Sequence, residues 1–262
     1  MLLNFLYKKW YKKIIFCLSV SLFICAPIIK ARILETHSSR IQRTKEPITS
    51  KNTIFLWDIH RVIVARGSFI KELKKRKNRW AIFNKTKHRF AYVWKALWMK
   101  MFSHKSGEAY ARLAMRHKNK ELAELIKSVY AIIEKPMIFT VNIIKELKSR
   151  GYTHYIGSNI GHEFFVDLQM RMPEIFNNDL FDLEGSQLAV YESGKELCKP
   201  SPAFFYEFIK KNNIDVTKTY VVFIDDEWDN IKAARKVGFI GIHYKNHMQL
   251  RQELRKLKSE FI

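Results

Sequence analysis

Cysteine is scarce in this 262-residue chain. Of the three, Cys17 and Cys25 lie in an apolar N-terminal segment, so the rest of the chain keeps only Cys198. That part can close no disulfide, and no Cys-x-x-Cys pair exists to hold zinc. Acids are short too: 25 Asp and Glu stand against 47 Lys and Arg, a formal net charge of +22. The imbalance favours anionic partners, whether phosphate esters, nucleic acid or an acidic membrane surface, without choosing among them. A long apolar run is also missing. Residues 14–29 are apolar apart from Ser19 and Ser21, and fall short of the ~20 residues that usually span a bilayer.

Enough remains to build a core. Hydrophobic residues make up 47% of the chain, and its length suits one α/β domain with a smaller insertion. Lys8, Lys9, Lys12 and Lys13 precede the apolar stretch, the arrangement of a secretory signal. We read residues 1–31 as a signal peptide or N-terminal membrane anchor. Membrane association would then run through residues 14–29, and the domain would be exported or membrane-anchored, periplasmic or cell-envelope in a bacterium. Lys30 and Arg32 oppose that orientation and leave the cytoplasmic face open. Residues 32–51 are polar and read as a linker.

Ile54-Phe55-Leu56-Trp57 runs straight into Asp58, and a β-branched stretch follows to Val64. A short apolar run without polar alternation reads as a strand buried on both faces, as in a parallel sheet. In open α/β sheets the reactive groups sit beyond the carboxyl ends of such strands, where Asp58 stands. Tyr155 to Ile156 ends likewise in Ser158 and Asn159, and Tyr220 to Ile224 ends in Asp225 and Asp226. Helices are expected around Val141, Ile144 and Leu147 with Gly151 as terminator, over 163–176, over 203–212 behind Pro202, over 229–237 ahead of Gly238, and at the end through Leu250, Leu254, Leu257 and Phe261. Phe239 to His243 is a further strand. His243 and His247 are read as surface residues. Strands alternating with helices predict a Rossmann-like parallel sheet flanked by helices.

Residues 66–135 break the alternation. Lys71, Lys74, Lys75, Arg76, Lys77 and Arg79 crowd together, while Glu72, Glu108, Glu121, Glu124 and Glu134 are the acids. Phe90, Val93, Trp94, Leu97 and Trp98, then Leu122, Leu125, Ile126 and Val129, recur at helical spacing. This predicts a basic helical cap inserted after the first core strand, with 52–65 and 136–262 forming the core. The aromatic stripe reads as packing and the lysines as a solvated face, so nucleic acid is the less favoured partner.

The ordered set Trp57-Asp58-x-x-x-Val62, Ile156-Gly157-Ser158-Asn159, Cys198-Lys199-Pro200 and Phe223-Ile224-Asp225-Asp226 with Asn230 and Gly238 resembles the haloacid dehalogenase-like (HAD) superfamily of hydrolases, of the type capped after the first strand. The resemblance implies a Mg²⁺-dependent phosphomonoesterase acting on a small anionic, phosphorylated substrate through an aspartyl phosphate. Asp58 would be nucleophile and metal ligand, with Asp225, Asp226 and the main-chain carbonyl of His60 as further ligands. Ser158, Asn159 and Lys199 would bind the phosphoryl group, with Ser158 and Lys199 also serving catalysis. One departure matters: phosphatases of this kind usually carry a second aspartate two residues after the nucleophile, as general acid, and this chain has His60 there. Losing a general acid typically costs 10²–10⁴-fold in rate, although histidine can itself act as acid or base. Two alternatives stay open at this point: a catalytically degenerate protein gripping an anionic partner, and a carbon–halogen hydrolase.

Overall fold

The structure, a computed structural model, describes residues 47–68, 71–72, 75, 120–189 and 197–257, with the side chains of 120–126 outside the description. The N-terminal segment 14–29, most of the expected linker, the stripe Phe90–Trp98, most of the Lys71–Arg79 cluster and Phe261 lie outside the described residues. Among the described residues no helix is long and apolar enough to cross a membrane.

Seven strands and six helices are described. They are β1 (Thr53–Trp57), β2 (Val64–Arg66), α1 (Lys120–Ile133), β3 (Glu134–Pro136), α2 (Ile138–Ser149), β4 (Thr153–Ser158), α3 (His162–Arg171), β5 (Gln187–Leu188), α4 (Pro202–Lys211), β6 (Tyr220–Asp225), α5 (Trp228–Lys236), β7 (Ile240–His243) and α6 (His247–Leu257). Five strands form a parallel sheet in the order β5-β4-β1-β6-β7, so β1 lies at the centre. Trp57 pairs with Ile156 on one side and with Ile224 on the other, which brings the carboxyl ends of β1, β4 and β6 level.

The two faces of the sheet follow from the alternation within each strand. Phe55, Trp57, Val222 and Ile224 point into one core with Ile143, Ile144 and Leu147 of α2, Phe165 and Leu168 of α3, and Leu250 and Leu254 of α6. Leu56, Val221 and Phe223 point the opposite way, against Phe204, Phe205 and Phe208 of α4 and Ile231 and Ala234 of α5. Because both faces are covered, the strands read as unbroken apolar runs in the sequence. Local signals close the helices: Pro202 opens α4 behind Ser201, whose hydroxyl accepts from the Ala203 N–H, and Gly151 and Gly238 follow α2 and α5 at φ +85° and +90°.

Two expectations are corrected, and the β-branched stretch after Asp58 takes a form the sequence left open. Residues 59–63 turn, with the Val64 N–H donating to the Ile59 carbonyl at 2.8 Å, and Val64 then starts β2 in a separate sheet. There β2 pairs antiparallel with β3, Val64 opposite Pro136 and Arg66 opposite Glu134. The insertion thus leaves and rejoins the core through one two-stranded stem, a device the sequence did not announce because each strand is only three residues long. The helix expected over 163–176 ends at Arg171, two residues before Pro173, which limits how far helix can run toward it. His243 and His247 are half-buried rather than surface residues: His243 donates from Nε2 to the Asp226 carbonyl at 2.9 Å, and the His247 ring stacks on Phe139.

His154 of β4 is fully enclosed, and its Nδ1 accepts the Trp57 indole N–H at 3.0 Å. Burial, aided by the charge of Lys148, pushes this imidazole down to about 3 from 6.5. The folded chain therefore holds it neutral while the unfolded chain takes up a proton. Its contribution to stability is complete above pH 6.5 and is lost on acidification toward pH 3, at about 1.4 kcal/mol per pH unit inside that window. Denaturant unfolding at pH 7, 6 and 5 should show this slope. His154→Gln, which keeps an acceptor for Trp57, should flatten it by about that amount; an equal slope in both proteins would exclude a neutral buried imidazole.

Candidate active site

Asp58, Ser158 and Asp225 stand at or just past the ends of three adjacent strands, and Lys199 enters from the loop ahead of α4. The Asp58 N–H donates to the Ile224 carbonyl at 2.9 Å, which fixes its backbone to β6. The Lys199 ammonium is 2% exposed and reaches three acceptors: Asp58 Oδ1 at 2.8 Å, Asp225 Oδ2 at 2.6 Å and the Gly157 carbonyl at 2.7 Å. Burial alone would lower the affinity of Lys199 for its proton, yet the charges of Asp225 and Asp58 raise it above the ordinary lysine value. Asp58 is desolvated as well, but Lys199, His60 and the Ser158 hydroxyl hold its carboxyl below the usual range. The nucleophile candidate is thus ionised and aimed.

Asp225 is fully buried and satisfied on both oxygens. Oδ1 accepts the Glu227 N–H at 2.8 Å, and the Asn230 amide lies 3.0 Å from each oxygen. Burial, and then the charge of Asp58, push this carboxyl up to about 7 against the pull of Lys199. Asp226 is raised by burial and by Asp58, and lowered by Arg61. One carboxylate oxygen from each of Asp58, Asp225 and Asp226 lies within 4.8 Å of the others. Three carboxyl groups crowd around one buried ammonium, with only the exposed Arg61 guanidinium beside Asp226, an excess of acid that is costly in a low-dielectric setting unless a cation completes it. The donors are all oxygen, the set that suits Mg²⁺.

Two of the expected residues have partners beyond the carboxylate cluster. Asn159 holds a main-chain segment. Its Oδ1 accepts the Lys199 main-chain N–H and its Nδ2 donates to the Lys199 carbonyl, both at 2.8 Å, so it clamps the backbone that carries the ammonium. The imidazole of His60 is turned to the stem: Nε2 lies 3.1 Å from Glu134 Oε1 and 2.8 Å from Arg66 Nη2. Gly157, between these groups, has no room for a side chain, since a Cβ there would fall 2.7 Å from Leu56 Cγ.

Arg61 and the Glu134 cluster were not foreseen. Arg61 holds φ +62°, fixed by its N–H to the Val64 carbonyl at 2.7 Å. Its guanidinium is 70% exposed and stands 3.4 Å from Asp226 Oδ2. A left-handed backbone costs a non-glycine residue about 1 kcal/mol, whereas an exposed pair of this kind returns about 0.5 kcal/mol. Stability alone does not account for arginine at that position. Glu134 opens β3, is 4% exposed, and accepts from Arg66 at 3.2 Å and from Arg171 of α3 at 2.7 Å, besides meeting His60. Burial raises its carboxyl, but His60, Arg66 and Arg171 outweigh that and hold it at about 2. A single carboxylate therefore joins the turn after β1, both stem strands and α3. The only sequence signal was a rare acid in a basic stretch, immediately before Lys135-Pro136. Glu134→Gln should leave the Arg66 and Arg171 guanidinium groups without their counter-charge and lower stability by about 3 kcal/mol in denaturant unfolding at pH 7. A loss below about 1 kcal/mol would mean that solvent screens the cluster.

No family model matches the chain. A curated relative, the sesquiterpene phosphatase AstK of Aspergillus oryzae, is 30% identical over 123 residues, 47% of this chain and 58% of that protein, so the chain spans a little over half the relative's length. Among solved structures, the HAD-family enzyme BT-2542 of Bacteroides thetaiotaomicron, in complex with magnesium and inorganic phosphate, superposes with a TM-score of 0.52 at 16% identity, covering 74% of this chain and 94% of that one. A further structure of the same enzyme covers 77% and 95%, with a TM-score of 0.50 at 16% identity. At that identity the likeness is one of fold, and it joins the ordered motif residues now found together at the end of the sheet. The chain has the fold of these haloacid dehalogenase-family enzymes, and its own Asp58, Ser158, Lys199, Asp225 and Asp226 gather at one end of the sheet.

Proposed function

We propose that the chain is a Mg²⁺-dependent phosphomonoesterase that works through an aspartyl phosphate at Asp58. The observation that carries this reading is the buried Lys199 ammonium held between Asp58 and Asp225, with Asp226 alongside. A carboxylate oxygen of Asp58 attacks phosphorus, and the ester P–O bond breaks with its electron pair on the departing oxygen, which takes up a proton from solvent; water then cleaves the acyl phosphate, releasing phosphate and restoring Asp58. Lys199 and the Ser158 hydroxyl orient the carboxylate and offset the charge of the phosphoryl oxygens. Mg²⁺, held by Asp58, Asp225, Asp226 and the main-chain carbonyl of His60, would supply the remaining positive charge and polarise the phosphoryl group. Asn159 acts by holding Lys199.

The name of the Aspergillus relative supports a phosphate ester as the substrate class. The net charge of +22 agrees with an anionic substrate. Residues 66–135 we take as the cap that closes over the site, and residues 1–31 as an export signal or anchor. The inert alternative keeps one observation in its favour: His60, at the position of the usual general acid, is committed to Glu134 and Arg66. An aryl phosphate, whose leaving group needs little protonation, separates the two readings. The full chain should hydrolyse it with Mg²⁺ and lose activity in EDTA. Asp58→Asn should lower turnover at least a thousandfold while leaving the thermal midpoint within a few degrees. Turnover that survives both EDTA and Asp58→Asn, or a folded protein with none, would exclude the proposal.

A further inference from the structure

We infer that Arg61 selects substrates whose leaving group departs as an oxyanion, above all the phosphoanhydride of an organic diphosphate. The inference rests on Asp58 as the attacking group. Two observations carry it. First, the position that would protonate an alcohol leaving group is occupied by His60, whose Nε2 is taken up by Glu134 and Arg66. From that nitrogen His60 has no proton to offer an alkoxide departing from a simple alkyl ester. Second, one residue further on, the chain accepts a left-handed backbone at an arginine and so holds an exposed guanidinium beside Asp226, at the rim of the carboxylate cluster. That guanidinium is a fixed positive charge with a planar fork of donors, shaped for phosphate or carboxylate oxygens.

The chemistry then balances without an acid. An Asp58 oxygen bonds to the terminal phosphorus of the diphosphate. The bridging P–O bond breaks, and its electron pair leaves on the organic monophosphate. That group departs as an anion and needs no proton. Arg61 hydrogen-bonds the oxyanion as its charge grows, an interaction stronger in the transition state than in the ground state. Water then hydrolyses the acyl phosphate at Asp58 to inorganic phosphate.

The test compares an alkyl monophosphate, the corresponding alkyl diphosphate, and acetyl phosphate, on the full chain with Mg²⁺ present. Arg61→Asn is the variant, because asparagine tolerates the left-handed backbone; its thermal midpoint should not fall. Two quantities are read: kcat/KM for each substrate, and the Kd of the alkyl mono- and diphosphate on the Asp58→Asn background, with and without Arg61→Asn. The chain should prefer the diphosphate over the monophosphate at least tenfold in kcat/KM, and Arg61→Asn should reduce that preference about tenfold to a hundredfold. The diphosphate Kd should rise relative to the monophosphate Kd in the same direction. A matching loss on acetyl phosphate would extend the class to carboxylate leaving groups; a loss on the diphosphate alone would confine it to phosphoanhydrides. An unchanged preference in Arg61→Asn, with both phosphates still hydrolysed, would overturn the inference and leave the phosphatase standing. Absence of hydrolysis of all three would instead sink the nucleophilic role of Asp58. An equal Kd ratio with and without Arg61 would then overturn this inference independently.

Discussion

The ammonium of Lys199 is the point on which the site depends. A buried lysine is expensive, and it is tolerated here because each of its three donors meets an acceptor: Asp58, Asp225 and the Gly157 carbonyl. Those acceptors belong to, or directly follow, three neighbouring strands, so the geometry exists only while β4, β1 and β6 keep their register. A slip of one residue would turn every side chain to the opposite face and scatter the cluster. The aromatic packing on both faces, Phe55 and Trp57 on one and Phe205 and Phe223 on the other, resists that slip. Core packing and catalytic electrostatics are thus one constraint seen from two distances.

The charge pattern has a direction. Asp58 is held below the usual carboxylate range, whereas Asp225 and Asp226 are both pushed above it. Three nearby carboxyl groups therefore have unlike proton affinities, set by their surroundings. Asp58 faces the lysine and a hydroxyl, while the two carboxyls of the 225–226 pair feel it as a repulsive neighbour. A divalent cation held by the three would relieve the same repulsion for all of them at once.

The sheet was legible in the sequence, and so was the position of the expected residues at its strand ends, because both leave local marks. Strands buried on two faces are unbroken apolar runs, and Asp58, Ser158 and Asp225 sit at their carboxyl ends. Lys199 stood in the right order beside Pro200 and ahead of a helix that Pro202 opens. What stayed hidden depends on contacts distant along the chain. Glu134 meets His60 across 74 positions, and Asn159 clamps Lys199 across 40. Neither partnership has a spacing that could be read. The amide of Asn159 follows a strand end as a substrate ligand would, and only the fold reveals that the Lys199 backbone takes it. The left-handed conformation of Arg61 was equally silent, since glycine or asparagine, not arginine, is the residue that announces it. The stem strands were missed for their brevity.

That stem has a consequence for how such a protein can change. Since Val64–Arg66 and Glu134–Pro136 pair antiparallel, the insertion begins and ends at one place, with the Gly67 N–H donating to the Ile133 carbonyl at 2.9 Å where the two strands open. Whatever lies between those residues can be lengthened, shortened or exchanged at the modest entropic cost of closing a longer loop, without moving a strand of the central sheet. The insertion and the sheet can therefore diverge separately over descent. The Glu134 cluster marks the boundary across which they remain joined: an exchanged insertion that keeps the two stem strands keeps Arg66 and Glu134, and with them the support of the turn that carries His60.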